Sequence, residues 1–302
     1  MSENAWQSSA VFEARARLGE GPVWDARARR LYWVDIYNHR IHRFDPTARR
    51  DEILRLPEIV TCVVPTRAGL LLLALRHDLA LLDPSTEELT RILTLEADRP
   101  DQRFNDGKVD SRGRFWIGTM SVEGLAHGAL YRYDAGGSVR TMESGLTISN
   151  GMGWSPDGGT FYHTDSPLRR IYAYDYDEES GEITGQRVFA DLTGSPAFPD
   201  GLAVDAEGCV WSAQWDGWCV IRFAPDGSEI RRLELPVQRP TSCCFGGPEL
   251  RTLYITSASV GLSEREIQLC PLSGDLFWVE TETQGLPGQP FDDTPQPDDR
   301  PA

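Results

Sequence analysis

"RFNDGKVDSRGRFW" (residues 103–116) opens with Arg103, Asn105 and Asp106, breaks at Gly107 and ends on the apolar pair Phe115-Trp116. A polar entry that runs through a turn into a buried aromatic strand returns as "DGLAVDAEGCVW" at 200–211. The same phrase can be laid over "EGPVWDARARRLYWVDI" from Glu20, "TCVVPTRAGLLLLAL" from Thr61, "NGMGWSPDGGTFYHTDS" from Asn150 and "TSCCFGGPELRTLYITSA" from Thr241. With Asn105 as the start of the opening stretch, successive starts lie 41, 44, 45, 50 and 41 residues apart. Five residues on stands an acid or turn former (Asp25, Asp110, Ser155, Asp205, Gly246), with Thr66 the weakest member. Then come a tight turn, an aromatic or aliphatic run, and a third run such as "RIHRFD" or "RIYAYDYD" in which apolar and polar residues alternate. Alternation of this kind belongs to half-buried strands. Units of this length, each built of short antiparallel strands, predict propeller blades. Six units give an all-β, six-bladed β-propeller over residues 11–280. Its ring is expected to close by pairing 11–17 with 274–280, between a flexible 1–10 and a disordered, Pro- and Asp-rich tail at 281–302.

The first strand of a propeller blade lines the axis, so equivalent repeat positions share one ring: Glu20, Thr61, Asn105, Asn150, Asp200 and Thr241. Carboxylates brought together in a narrow channel either take up protons or share a cation. Glu20, Asn150 and Asp200 offer only oxygen donors, which suit one hard divalent ion and leave positions open for water or substrate. Taken singly, each could be a strand-end residue bonding its own backbone. Three on one ring, two of them charged, favour a central metal site.

"LGEGPVWD" (18–25), "RFNDGK" (103–108), "SNGMGWSPDG" (149–158), "PDGLAVDAEG" (199–208) and "CFGGPELRTLYITSA" (244–258) resemble, in unbroken order, the gluconolactonase/regucalcin (senescence marker protein) family. The resemblance implies a six-bladed propeller with one divalent ion held by Glu20, Asn150 and Asp200. It also implies sugar hydroxyls bound by Arg103 and Asn105, with Glu123 of "GTMSVEG" as a looser addition. The activity implied is hydrolysis of an aldonolactone to its open acid, and Asp200 is the candidate general base. Oxygen ligands do not choose the ion; Ca2+ comes first, with Zn2+, Mn2+, Mg2+ and Fe2+ as alternatives. A non-catalytic calcium-binding propeller is the rival of another class. A metal-dependent hydrolase of other lactones or organophosphates is the rival among enzymes.

The formal charge is −16, from 30 Lys plus Arg against 46 Asp plus Glu, which disfavours nucleic acid as a partner. The expected partner is a small sugar lactone, taken up by a monomer or weak homo-oligomer away from membranes. No stretch reaches the roughly 20 apolar residues of a membrane helix, and the N-terminus lacks a basic start and an apolar core. Six cysteines without a CxxC pair read as reduced thiols, so a cytoplasmic location is expected. No GxSxG elbow or HExxH motif is present. His39 and His42 are expected at the surface and His163 as a satisfied core residue. Asp165 is expected to be a turn or inter-strand brace, and the Trp and Tyr stripes to be packing.

Overall fold

The computed structural model describes residues 8–294. It contains six four-stranded antiparallel sheets arranged as propeller blades. Their innermost strands are Gly19–Asp25, Cys62–Pro65, Gln102–Val109, Ser149–Trp154, Phe198–Val204 and Pro240–Gly246. Blades 1 to 5 are consecutive in sequence. Blade 6 takes its outermost strand, Ser9–Phe12, from the N-terminal end, pairing it with Leu276–Glu280. The ring therefore closes as expected, although the N-terminal strand starts at Ser9, before the 11–17 segment assigned to it. Among the described residues the one α-helix, Glu264–Leu269, starts on a capping box between Ser263 and Glu266 and lies in a blade 6 connection.

The repeated acid five residues into each unit has a local task. Asp110 accepts the backbone N–H groups of Arg112 and Arg114 with one oxygen and the indole N–H of Trp116 with the other. Asp205 does the same for Glu207, Cys209 and Trp211. One carboxylate thus fixes the hairpin turn and the rotamer of the tryptophan that fills the space between blades. Trp33, Trp116 and Trp211 are fully buried, as the packing expectation required. A second brace recurs at the other end of the blade. Asp35 accepts the N–H groups of Arg17 and Leu18, and Asp165 those of Thr147 and Ile148, so each tethers the segment that leads into its blade's innermost strand.

Two expectations need correction. His42 is buried, not at the surface: it stacks on Trp33 at 3.8 Å and its Nδ1 pairs with Asp51 Oδ2 at 2.7 Å. Residues 281–294, assigned to a disordered tail, form an ordered strap across the face of the ring that carries the hairpin turns; 295–302 lie outside the described residues. The strap bonds Leu250 of blade 6 and Ala206 of blade 5, then Pro65 and Arg67 of blade 2 and Gly113 of blade 3. Phe291 is its anchor, buried and stacked on Tyr133 at 5.5 Å. Above the strap the axis holds a cavity of about 350 Å³, lined by Trp24, Lys108, Trp154 and Phe245, with Leu286 and Pro287 of the strap as its floor. Among the described residues no helix is long and apolar enough to cross a membrane.

Phe291→Ala is expected to lower the unfolding free energy by roughly 3 kcal/mol, through the lost burial and the void left behind. Asp292→Ala, which removes a part-exposed ion pair with Arg67 and an exposed hydrogen bond from the Thr294 N–H, should cost about 1 kcal/mol. Urea denaturation of the two variants checks the contrast; equal midpoints would mean that the strap does not hold the ring.

Candidate axial acid site

Five of the six innermost strands carry one extra residue relative to their partner strand. The register slips between Glu20 and Val23, Phe104 and Gly107, Asn150 and Met152, Pro199 and Leu202, and Pro240 and Ser242. A bulge of this kind bends the strand and re-aims a side chain. Here it lies in every case at the polar entry of the strand and turns that residue toward the axis. Glycine follows the key residues because the strands converge there. A Cβ on Gly151 would lie 2.3 Å from the carbonyl oxygen of Asp200, and one on Gly201 would lie 2.0 Å from Ser242 Oγ.

Four side chains define the site, and each places one oxygen on the backbone N–H of the glycine after it. Glu20 accepts from Gly21 at 2.9 Å, Asp106 from Gly107 at 2.8 Å and Asn150 from Gly151 at 3.1 Å; Asp200 is bonded likewise by Gly201. Asn150 Nδ2 also donates to Ser166 Oγ at 3.2 Å and to Asp200 Oδ1. The local backbone bond and the shared site are therefore two uses of one carboxylate, whose second oxygen is left for the axis. Burial raises the pKa of Glu20 well above the carboxylate range, and the charges of Asp200 and Asp106 raise it further. Asp200 is raised well above its ordinary value by burial and then by Asp106. Asp106 is raised by burial, with Lys108 and the Gly107 N–H opposing.

Asn150 and Asp200 meet through a hydrogen bond, and Glu20 lies within electrostatic reach of Asp200. Asp106, which the repeat register did not select, lies within electrostatic reach of both carboxylates. In blade 3 the place in the cluster expected of Asn105 falls to the next residue, and the signal available was the glycine rule: Glu20-Gly21, Asn150-Gly151 and Asp200-Gly201 match Asp106-Gly107, not Asn105. Thr61 and Thr241 are buried, but their hydroxyls are engaged elsewhere, on Ala74 O at 3.3 Å and on Gly19 O at 2.5 Å.

Arg103 and Asn105 stand beside the cluster. Arg103 is buried, and its Nη1 donates to Phe104 O and Asn105 Oδ1, both at 2.8 Å, while Nε has no partner. Asn105 Nδ2 donates to Ser149 O at 2.9 Å, and Ser149 Oγ meets His163 Nε2 at 2.8 Å. His163, a buried base for this chain of contacts, has its pKa lowered to about 3 by burial. Only one of its ring nitrogens is bonded, since Nδ1 lacks a partner. Glu123 lies in an exposed turn, its backbone N–H on Ser121 Oγ, with no bond to Arg103 among the described residues. Tyr37, unnoticed in the sequence, hydrogen-bonds Arg103 from the loop after the second strand of blade 1.

The family model "SMP-30/Gluconolactonase/LRE-like region" matches residues 18–259. The chain belongs to the SMP-30/gluconolactonase family. Its relatives include the 6-deoxy-6-sulfogluconolactonase of Pseudomonas putida, 40% identical over 89% of this chain and 92% of that protein. The pentonolactonase XacC of Haloferax volcanii is 38% identical over 92% of this chain and 95% of that one. Among solved structures, a calcium-binding protein, regucalcin, from Agrobacterium tumefaciens superposes with a TM-score of 0.91 at 31% identity, covering 95% of this chain and 98% of that one.

For a member of the SMP-30/gluconolactonase family the donor set can be tested on its own chemistry. Glu20, Asp106 and Asp200 are buried carboxylates and Asn150 adds an amide oxygen; Asp200 and Asp106 raise the pKa of Glu20, Asp106 raises that of Asp200, and no thiolate or imidazole is among them. As placed, no three of the described acids, histidines and cysteines are grouped to hold a metal ion, while the oxygen-only donor chemistry is of the kind that suits a hard divalent cation.

His163 gives a check on the supporting network. Its folded pKa, about 3, lies below the unfolded value of about 6.5, so between these pH values the unfolded chain binds the extra proton. Its contribution to stability is complete above pH 6.5 and is lost on acidification, by up to about 1.4 kcal/mol per pH unit. Between pH 7 and pH 5 the wild-type urea midpoint should therefore fall toward that of His163→Gln; a constant difference would place a protonated imidazole in the fold.

Proposed function

We propose that this chain hydrolyses a sugar lactone to the corresponding aldonic acid at the axial acid site. One observation carries the proposal: a buried cluster of hard oxygen donors stands directly beside a guanidinium with an unused N–H. The names of relatives at 38 to 40% identity support the same substrate class. Glu20, Asn150 and Asp200 would hold one divalent ion, with Asp106 adding negative charge beside them. When bound, such an ion supplies Lewis acidity, which polarises a carbonyl and stabilises the charge that develops on its oxygen.

The chain's own residues do the rest. Arg103 donates to lactone ring or hydroxyl oxygens in the forked geometry that lysine lacks, and Asn105 holds that guanidinium in place. Asp200 takes one proton from the attacking water and returns it to the ring oxygen as the C–O bond breaks, giving a free hydroxyl and a carboxylic acid that releases its remaining proton to solvent. Glu123 would reach the substrate only from the rim. All six cysteines are unpaired, which supports a reducing, cytoplasmic location.

The solved relative described as calcium-binding makes a binding protein the second reading. Two measurements separate the readings. Chelated protein reloaded with single metals should hydrolyse one or more of the glucono-, xylono-, arabino- and galactonolactones in a pH-indicator assay, and Glu20→Ala should abolish the metal-restored rate. Asp200→Asn should lower kcat by about 10²- to 10⁴-fold. A metal-dependent rise in Tm, present in wild type and lost in Glu20→Ala, reports ion binding by itself. A Tm rise without turnover of any lactone would establish the binding protein and overturn the enzyme.

A further inference from the structure

The rim of the site carries charge of the wrong sign for a chain of −16. Arg103 is 5% exposed, and neither it nor Arg76 nor Arg17 forms an ion pair with a carboxylate among the described residues. The three come together from blades 1 to 3. The guanidinium of Arg17 lies over the Tyr37 ring at 5.6 Å, and Tyr37 in turn hydrogen-bonds Arg103. The carbonyl of Arg76 accepts the N–H of Phe104 at 3.0 Å, so Arg76 is fixed beside Arg103, and its own Nη2 donates only to Pro100 O at 2.8 Å.

The nearby acids are spoken for. Asp35 is saturated by the N–H groups of Arg17 and Leu18 and the amide of Asn38. Asp78 is taken by Arg91 and Thr94, and Asp101 by Ser121. Burial lowers the pKa of Arg103 and the charge of Arg76 lowers it again, while Tyr37 and Glu20 oppose. Arg103 thus has the acid cluster on one side and keeps one N–H unpartnered, while Arg76 and Arg17 have no carboxylate partner among the described residues.

We propose that the lactone taken by this site carries an anionic group (phosphate, sulfonate or carboxylate) at the end remote from its carbonyl, and that Arg76, Arg17 and the Tyr37 hydroxyl, next to Arg103, form the subsite for it. This rests on the lactonase function proposed above. The carbonyl end must lie at the acid cluster, where an anionic tail would be repelled, so the tail points to the arginines. Guanidinium groups suit the task because they bind planar or tetrahedral oxyanions through paired N–H donors.

The test compares kcat/KM for a neutral aldonolactone with those of its 6-phosphate, 6-sulfonate and 6-carboxylate counterparts, using metal-loaded full-length protein. At least one anionic substrate should be favoured by about tenfold or more at low salt, and the preference should shrink as NaCl is raised. Arg76→Gln and Arg17→Gln should each reduce the anionic-to-neutral ratio, whereas Arg187→Gln, on the outer strand of blade 4 and paired with Asp175, should leave it unchanged. Calorimetric binding of sorbitol 6-phosphate against sorbitol reads the subsite without any turnover. Equal rates for neutral and anionic lactones, with equal binding of the two polyols, would overturn the subsite and leave the lactonase standing. Binding of sorbitol 6-phosphate that Arg76→Gln weakens, with no lactone hydrolysed, would overturn the lactonase and leave the subsite.

Discussion

Mutual repulsion among Glu20, Asp106 and Asp200 is the constraint around which the molecule is arranged. Burial is unfavourable for all three carboxylates, and proximity adds to it for Glu20 and Asp200, whose pKa values neighbouring acids raise further. A fold that left them free to turn away would lose the cluster. Two devices prevent this. The bulge in the innermost strand sets the direction of each side chain, and the N–H of the following glycine holds one of its oxygens. Both devices act on the backbone, so the geometry of the acids is set by the ring itself and does not depend on one acid bonding another.

Holding the devices in place requires the blades to be rigid toward one another, and the sequence spends its other acids on that. Asp110 and Asp205 lock the turns and the interblade tryptophans at one end, while Asp35 and Asp165 tether the incoming segments at the other. The N-terminal strand in blade 6 closes the ring once. The strap closes it again by bonding blades 6, 5, 2 and 3, and it covers the far end of the axis. With that end covered, the way to the acid cluster is from the rim that carries Tyr37, Arg76 and Arg103.

Much of this was legible because propellers repeat. The spacing of Glu20, Asn150 and Asp200 carried the blade count and selected three of the four side chains in the axial acid cluster. Counting five residues back from Asp110 lands on Asn105, whereas the residue whose oxygen meets the following glycine N–H is Asp106. The slip in blade 3 lies at the same place in the repeat as that in blade 5, so spacing could not tell the two residues apart and only the following glycine does. The strap was misread for another reason. Pro- and Asp-rich composition predicts too little apolar surface to order a segment, yet one phenylalanine in a slot beside Tyr133 and a few backbone bonds to exposed strand ends suffice. His42 was taken for a surface residue because its partner Asp51 lies across a strand pair, at a separation that local sequence does not reveal.

The overall charge shows how far a global property can mislead at a local site. A formal −16 favours cations and neutral molecules as partners, and on that ground an anionic ligand would be dismissed. At physiological ionic strength, however, exposed charges more than about 8 Å away are largely screened, whereas buried ones are screened much less. What a ligand meets at the rim is therefore set by Arg17, Tyr37, Arg76 and Arg103, not by the carboxylates scattered over the outer strands. Some outer carboxylates are also paired where they stand, as Arg43–Glu52, Arg140–Glu182 and Arg187–Asp175 illustrate. Those arginines are held by acids, whereas Arg17 and Arg76 at the rim form no such pair among the described residues, and that difference separates a stabilising surface from one built to receive a charge.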